Sequence, residues 1–418
     1  MNNKLKNIIW YSGEKYVTVL MSFITTVILA RVLEPSILGD IVLLQSFVIL
    51  FNIVTLLAMD SIFIKRMTDD DNYIEAVYFL KIISSILASL LYFTYVSIDE
   101  SSVEFSARLV LGLPLLLSFT TFVDVILMKD KLIYKLSTRT ILLYIIIGFI
   151  KCLLILNTSD IFLICLLLIV DQVAVRVFTF CYGIINKLTP NKLLFNKNTF
   201  SYCLLLLNEG KFLVLSSFFL VGFVRTNQLL VSYFLGSESL AYFSMPIKIV
   251  DGLTILISTY TASVYPYLLS SIKSHGSKNT ALRYFSGVTK IGVLIATIVI
   301  FLSEDIILFI FGAQYVNSIP ILKIYAFGII FNYIFVASGR WFVAVSETNF
   351  VATRNIMAFS LNLILSFTLV PHYGINGAAW SAMISWCLAG YVSCIFSKNN
   401  RWLLILIPRS LFKFVRPL

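Results

Sequence analysis

Long apolar stretches separated by short polar ones run from one end of the chain to the other. Stretches such as Ile141 to Leu156 are apolar on every side of a helix and lack any alternation of period two. Strands of a membrane barrel would instead alternate over about ten residues. A helix needs about 20 residues to cross the hydrocarbon core of a bilayer. The pattern predicts twelve such helices, over 10–30, 37–58, 76–96, 105–128, 140–156, 161–185, 212–235, 240–269, 284–302, 321–345, 351–370 and 374–396.

The polar stretches fall into two alternating sets. One holds Lys65 and Arg66, then Lys129, Lys131 and Lys135, then Lys187, Lys192 and Lys197, then Lys273, Lys278 and Arg283. Both termini join it, the C-terminal one with Lys398, Arg401, Arg409, Lys413 and Arg416. The other set holds Asp99, Glu100, Glu104, Asp160, Glu238, Glu304 and Asp305, with few basic residues. Cytoplasmic loops carry the excess of Lys and Arg. The basic set and both termini are therefore expected in the cytoplasm, which requires an even number of crossings.

The longest polar cytoplasmic segment, 187–198, divides the chain into six-span halves, 1–198 and 199–400. A basic tail, 401–418, follows. Its apolar run is too short to cross and is expected to lie along the anionic cytoplasmic surface. Leu33-Glu34-Pro35-Ser36-Ile37-Leu38-Gly39 lines up with Leu235-Gly236-Ser237-Glu238-Ser239-Leu240-Ala241, and Ser137-Thr138-Arg139 with Ala352-Thr353-Arg354. Six spans preserve orientation, so the repeat is parallel, as in many secondary transporters. The expected fold is an all-α membrane protein of about twelve transmembrane helices, in two six-helix lobes related by a parallel repeat around a central cavity.

Composition supports this and removes several function classes. Hydrophobic residues make up 59% of the chain and charged ones 13%, against about 25% charged in soluble proteins. A net charge of +11 would point to nucleic acid in a soluble chain. Here the positive-inside bias accounts for it, and no nucleic-acid partner is expected. None of the six cysteines forms a Cys-x-x-Cys pair, so neither a zinc site nor any cofactor is expected. The first apolar stretch is too long for a signal peptide and reads as a retained span. No Gly-x-x-x-x-Gly-Lys-Ser/Thr occurs, which argues against ATP-driven transport. No nucleophile–base–acid constellation stands out, so the chain is not expected to be an enzyme.

The informative side chains are ionisable groups within spans. Asp171, Arg176, Arg225, Lys248 and Asp251 lie deep, whereas Asp124, Lys151 and Arg340 lie nearer an interface. A charge at the bilayer centre costs at least about 2.5–3.5 kcal/mol on insertion scales, so such groups face a protein interior or a wet cavity. Lys248 and Asp251 stand three apart on one helix face, where they either pair or line a cavity. Arg225 has Thr226, Asn227 and Gln228 beside it and no local acid. Arg176 is five residues from Asp171, so the two point in different directions. Asp124, Lys151 and Arg340 are placed to snorkel.

Three motifs carry a family resemblance. Leu29-Ala30-Arg31-Val32-Leu33-Glu34-Pro35-x-x-Leu38-Gly39 resembles the end of the first span in polysaccharide flippases. Phe311-Gly312-x-x-Tyr315-x-x-Ser318-x-Pro320-x-Leu322 resembles their loop before the tenth span. Val370-Pro371-x-x-Gly374-Ile375-x-Gly377-Ala378-Ala379-Trp380-Ser381 resembles the start of their twelfth. In order, these cover nearly the whole chain. The family is the O-antigen and polysaccharide flippases of the multidrug/oligosaccharidyl-lipid/polysaccharide exporter superfamily. The resemblance implies transport of undecaprenyl-pyrophosphate-linked sugar repeat units across a bacterial inner membrane, with polymerase and chain-length proteins as pathway partners.

On that reading Arg176, Arg225 and Lys248 form a cationic cavity for the pyrophosphate. Asp171, Asp251, Asn227, Asp124, Arg340 and Lys151 are candidates for lining it or for coupling. Two departures matter. Members often carry Asp two residues after the arginine of the seventh span, and here Asn227 stands there. Lipid II flippases carry arginines within the first span and two further helices. This chain has no basic residue between Tyr16 and Ala30 and ends after the twelfth span, which sets that branch lower. An exporter of cationic drugs should favour unpaired carboxylates, and a membrane-embedded polymerase or ligase a long outer loop. Those are the rival readings.

Topology is testable by cysteine labelling in a cysteine-free background. Lys131→Cys and Lys278→Cys are expected to resist an impermeant thiol reagent in intact cells, whereas Asp99→Cys is labelled. Labelling of Lys278→Cys would break the twelve-span arrangement.

Overall fold

Backbone in hydrocarbon must satisfy its own hydrogen bonds, and every membrane-length segment of this chain is helical. The computed structural model describes residues 3–55, 57–71, 73–98, 103–158, 160–190, 197–397 and 400–412. Asp99, Glu100, Lys192, Lys398, Lys413, Arg416 and positions 191–196 of the polar divider lie outside the described residues.

The fold divides into two compact units, Met1–Val221 and Gly222–Leu418. In the first, α1 (Asn3–Val32) leads to α2 (Pro35–Phe51), which continues through 3-10 turns into α3 (Asp60–Asp69). Next come α4 (Tyr73–Ile98), the broken span α5–α6–α7 (Phe105–Leu111, Leu113–Leu116, Thr121–Lys129), α8 (Tyr134–Leu156) and α9 (Ile161–Ile185). The long α10 (Lys197–His275) begins in the first unit and ends in the second. It is followed by α11 (Ser277–Phe301), α12 (Ser303–Ile310), α13 (Ile319–Ala344), α14 (Thr348–Gly390) and α15 (Leu403–Phe412).

Ten helices among the described residues are long and apolar enough to cross a membrane. Two of them, Thr199–Ile272 at 74 residues and Asn349–Phe396 at 48, are each long enough to cross twice. Both are interrupted by a glycine with positive φ: Gly236 (φ 82°, ψ 175°) and Gly374 (φ 61°, ψ −144°). Ten plus these two second crossings gives the twelve spans that the hydropathy pattern predicts, with the breaks where it puts them. Gly236 stands at the repeat position of Glu34, which is the extended residue between α1 and α2. Leu38 and Leu240, aligned in the repeat, are both buried. The chain thus breaks at the same point in each half, by proline after Glu34 and by glycine at Gly236.

The helix α8 turns many of its largest apolar side chains outward. On α8, Leu142, Ile146, Phe149 and Leu153 are exposed, while Ser137, Thr140, Gly148, Lys151 and Cys152 are buried. Hydrocarbon is as apolar as leucine, so burial selects small and polar residues that let helices approach and bond. A Cβ on Gly148 would lie 3.0 Å from Met21 Sδ on α1. The first part of α10 packs on the first unit. Cys203 and Leu206 join a core of Met59, Phe63, Met67, Tyr73 and Ala76. Arg66 also makes a two-pronged ion pair with Glu209.

In the second unit, Phe223, Phe335, Ala358 and Ala389 form a core. Gly312 (φ 99°) and Pro320, at the start of α13, bound a 3-10 segment. There Tyr315 is buried against Tyr242, and Ser318 Oγ donates to the Tyr242 carbonyl at 2.6 Å. The tail includes the amphipathic helix α15. It buries Leu403, Ile407 and Ser410 and leaves Ile405 and Arg409 exposed.

Backbone of this kind is close to glycine-only. Gly236→Ala and Gly374→Ala are each expected to cost about 1–3 kcal/mol, read as a lower melting temperature in detergent. Gly252→Ala lies within a helix and faces open space, so it is expected to leave the melt unchanged or raise it.

Candidate functional site

Several charges inside the first unit occur in pairs. Lys151 on α8 donates to Asp171 on α9 at 2.5 Å, with side chains 3% and 9% exposed. The second Asp171 oxygen accepts the Gln172 backbone N–H at 3.0 Å. Arg176 lies 3.6 Å from Asp124, both half-buried. Lys81 on α4 donates to Asp60 on α3 at 2.7 Å, with the lysine side chain wholly buried. Asp60, Lys81, Asp124 and Arg176 lie within electrostatic reach of one another and of Glu14 and Lys15 on α1. Three acids face three bases, so this cluster is close to neutral.

Two sequence expectations change here. Lys151 does not snorkel to the interface, because Asp171 on the neighbouring helix offers it a buried partner. Arg176 is engaged by Asp124 on α7, whereas Asp171 bonds Lys151 on α8. The Lys81–Asp60 pair was missed, although a lysine within the 76–96 span is the same signal that picked out the others.

The second unit is arranged differently. Arg225, Lys248 and Asp251 all lie on α10 and act on one another electrostatically. Among the described residues, none of the three has an ion-pair partner within 4 Å. The pairing of Lys248 with Asp251 that their spacing permits is therefore not made. Two cations face one carboxylate, which leaves net positive charge on a membrane-length helix. Arg225 Nη1 donates to Gln228 Oε1 at 2.8 Å. Asp251 is exposed, and a Cβ on the adjacent Gly252 would meet nothing within 4 Å, so open space borders the helix at this level.

Asn227 is buried and fully engaged. It donates to the Ala378 carbonyl at 3.1 Å and accepts from Ser366 Oγ at 2.5 Å and Ser381 Oγ at 3.2 Å. It ties three helical segments together. Arg340 is exposed near the end of α13, where a long side chain can reach the interface. Arg354, aligned with Arg139 in the repeat, is 2% exposed. It bonds the Phe335 carbonyl at 3.0 Å and Ser338 Oγ and lies 4.3 Å from the Phe335 ring. Arg139 likewise lies over an aromatic ring, that of Tyr182. No group of three or more His, Cys, Asp or Glu among the described residues is gathered as a metal site would need.

A family profile described as "Polysaccharide biosynthesis protein" matches residues 28–320. No curated protein matches the sequence. Among solved structures, the lipid II flippase MurJ in an inward closed conformation has a TM-score of 0.72 at 18% identity, covering 97% of this chain and 91% of that one. An inward-facing multidrug resistance MATE family transporter of the MOP superfamily has a TM-score of 0.63 at 12% identity, covering 95% and 96%. A MOP superfamily transporter from Pyrococcus furiosus has a TM-score of 0.61 at 11% identity, covering 98% and 96%. At such identities the likeness is one of fold.

The buried pair is testable as a unit. Lys151→Ala alone strands Asp171 and is expected to cost about 3–5 kcal/mol. The double change Lys151→Met with Asp171→Leu removes both charges and is expected to recover most of that loss. Melting temperatures of the purified variants decide, and an equal loss in the double variant would refute the pairing as the source of the effect.

Proposed function

Because the chain belongs to the polysaccharide biosynthesis protein family, we propose that it is a flippase for undecaprenyl-pyrophosphate-linked oligosaccharide repeat units, the precursors of O-antigen or capsule. It carries them from the cytoplasmic to the periplasmic leaflet of a bacterial inner membrane by alternating access, with both termini in the cytoplasm. It is a transporter and not an enzyme, and its product passes to the polymerase and chain-length proteins of the same pathway.

One observation carries this reading. Arg225 and Lys248 lie on a membrane-length helix without an ion-pair partner within 4 Å among the described residues, and a single carboxylate, Asp251, is in electrostatic reach. Two such cations cost at least about 2.5–3.5 kcal/mol each at mid-membrane on insertion scales. A visiting anion offsets that cost, and a pyrophosphate leaving water has the complementary need. The attraction is strongest where water is scarce. The prenyl chain remains in lipid, so the protein has to shelter only the charged and sugar-bearing part. An exporter of cations would be served badly by the same pair of positive charges.

Leaflet-resolved transport of a defined lipid-linked oligosaccharide in liposomes tests the proposal. Arg225→Ala is expected to abolish transport, and polymer export in cells, at near-normal protein level. Arg225→Lys should keep part of the activity if charge suffices and little if a two-pronged phosphate contact is needed. Normal transport by Arg225→Ala would remove the role assigned to it, and efflux of cationic drugs without lipid-linked transport would favour the exporter reading.

A further inference from the structure

Arg225 and Gln228 stand three apart on one face of α10, and Ser244 lies beyond the Gly236 break. Arg225 Nη1 donates to Gln228 Oε1 at 2.8 Å, and Gln228 Nε2 donates to Ser244 Oγ at 3.3 Å. Gln228 and Ser244 are 1% and 0% exposed. The amide orientation is chemically fixed. A guanidinium only donates, so the carbonyl oxygen must face it and the NH2 must face the hydroxyl. The chain thus runs from guanidinium to amide to hydroxyl across the break.

The choice of an amide has a consequence. A carboxylate of the same shape would hold the guanidinium more strongly but would cancel its charge. Glutamine fixes the group and leaves the charge intact. With Nη1 tied down, Arg225 Nε is buried and has no hydrogen-bond partner among the described residues. Buried donors without partners are rare in native proteins, and this one belongs to a charged group within electrostatic reach of Lys248.

We propose that Gln228, backed by Ser244, is a positioning residue for anion recognition. It orients the Arg225 guanidinium so that its Nε edge is kept for one phosphoryl group of the substrate, at full positive charge. This rests on the phosphate reading given above and adds to it the geometry by which the contact is made two-pronged.

The experiment uses the full-length protein in detergent with inorganic pyrophosphate as the probe, read by calorimetric titration and by the ligand-induced rise in melting temperature. The unmodified protein is expected to bind, and Arg225→Ala to lose binding. Gln228→Glu keeps the shape and is expected to bind pyrophosphate at least tenfold more weakly, while its ligand-free melting temperature stays the same or rises. Gln228→Met releases the guanidinium and is expected to weaken binding several-fold. In the Gln228→Met background the further change Arg225→Lys should cost little, whereas in the unmodified background it costs clearly more. That non-additivity is the mark of one residue acting through the other.

A purely structural role would lower the melting temperature of Gln228→Met and leave pyrophosphate affinity unchanged, which would overturn the inference. So would normal binding by Gln228→Glu in a protein whose Arg225→Ala variant has lost it, and that result would leave the phosphate reading standing. Failure of the unmodified protein to bind pyrophosphate would overturn the phosphate reading and this inference together.

Discussion

A charge surrounded by hydrocarbon must find a partner or reach water, and that constraint decides what lies inside each unit. Apolar side chains gain nothing by leaving lipid for a protein interior. The interior therefore adds to its apolar cores groups that lipid rejects. In the first unit these are ion pairs between neighbouring helices, Lys151 with Asp171 and Lys81 with Asp60. In the second they are hydrogen-bonded amides and hydroxyls, with Asn227 joined to Ser366, Ser381 and the Ala378 carbonyl. Both are polar solutions to the same exclusion, and both set which helix faces meet.

Against that background the two units differ in what they leave over. The first balances its charges, so its acids and bases hold helices together at little net field. Among the described residues, the second keeps Arg225 and Lys248 apart from any carboxylate by more than ion-pair distance. A balanced pair resists an incoming anion because one partner must be given up, whereas an unmatched cation attracts it. Arg354 shows a third solution. Among the described residues it has no acid within ion-pair distance, and a carbonyl, a hydroxyl and an aromatic face surround it.

Much of this was legible in the sequence because lipid simplifies the code. Long apolar runs could only be helices, and the breaks at Gly236 and Gly374 fell where polar or small residues interrupt them. The chain's repeat was visible because it recurs at the same depth in each half. Pairing was not legible. Lys151 finds Asp171 on another helix, and no spacing rule connects them; Lys248 and Asp251 satisfy a spacing rule and do not pair. Hydropathy also says nothing about which face of α8 is buried, since leucine and isoleucine cover most of its surface and the small residues choose the contact. Gln228 gives no such signal, since an uncharged amide within a span carries no alarm.

The path of α10 bears on how the chain could be cut. The polar divider ends before residue 199, yet the stretch that follows contributes Cys203 and Leu206 to the first unit's core, seats Gly210 against Met59 and offers Glu209 to Arg66. Two fragments severed at the divider would not be two modules. The second would carry away a strip of the first one's interior, and the first would expose a sulfur-rich apolar furrow and an orphan arginine until its missing strip returned. The boundary of the repeat and the boundary of the packing are therefore different points on the chain.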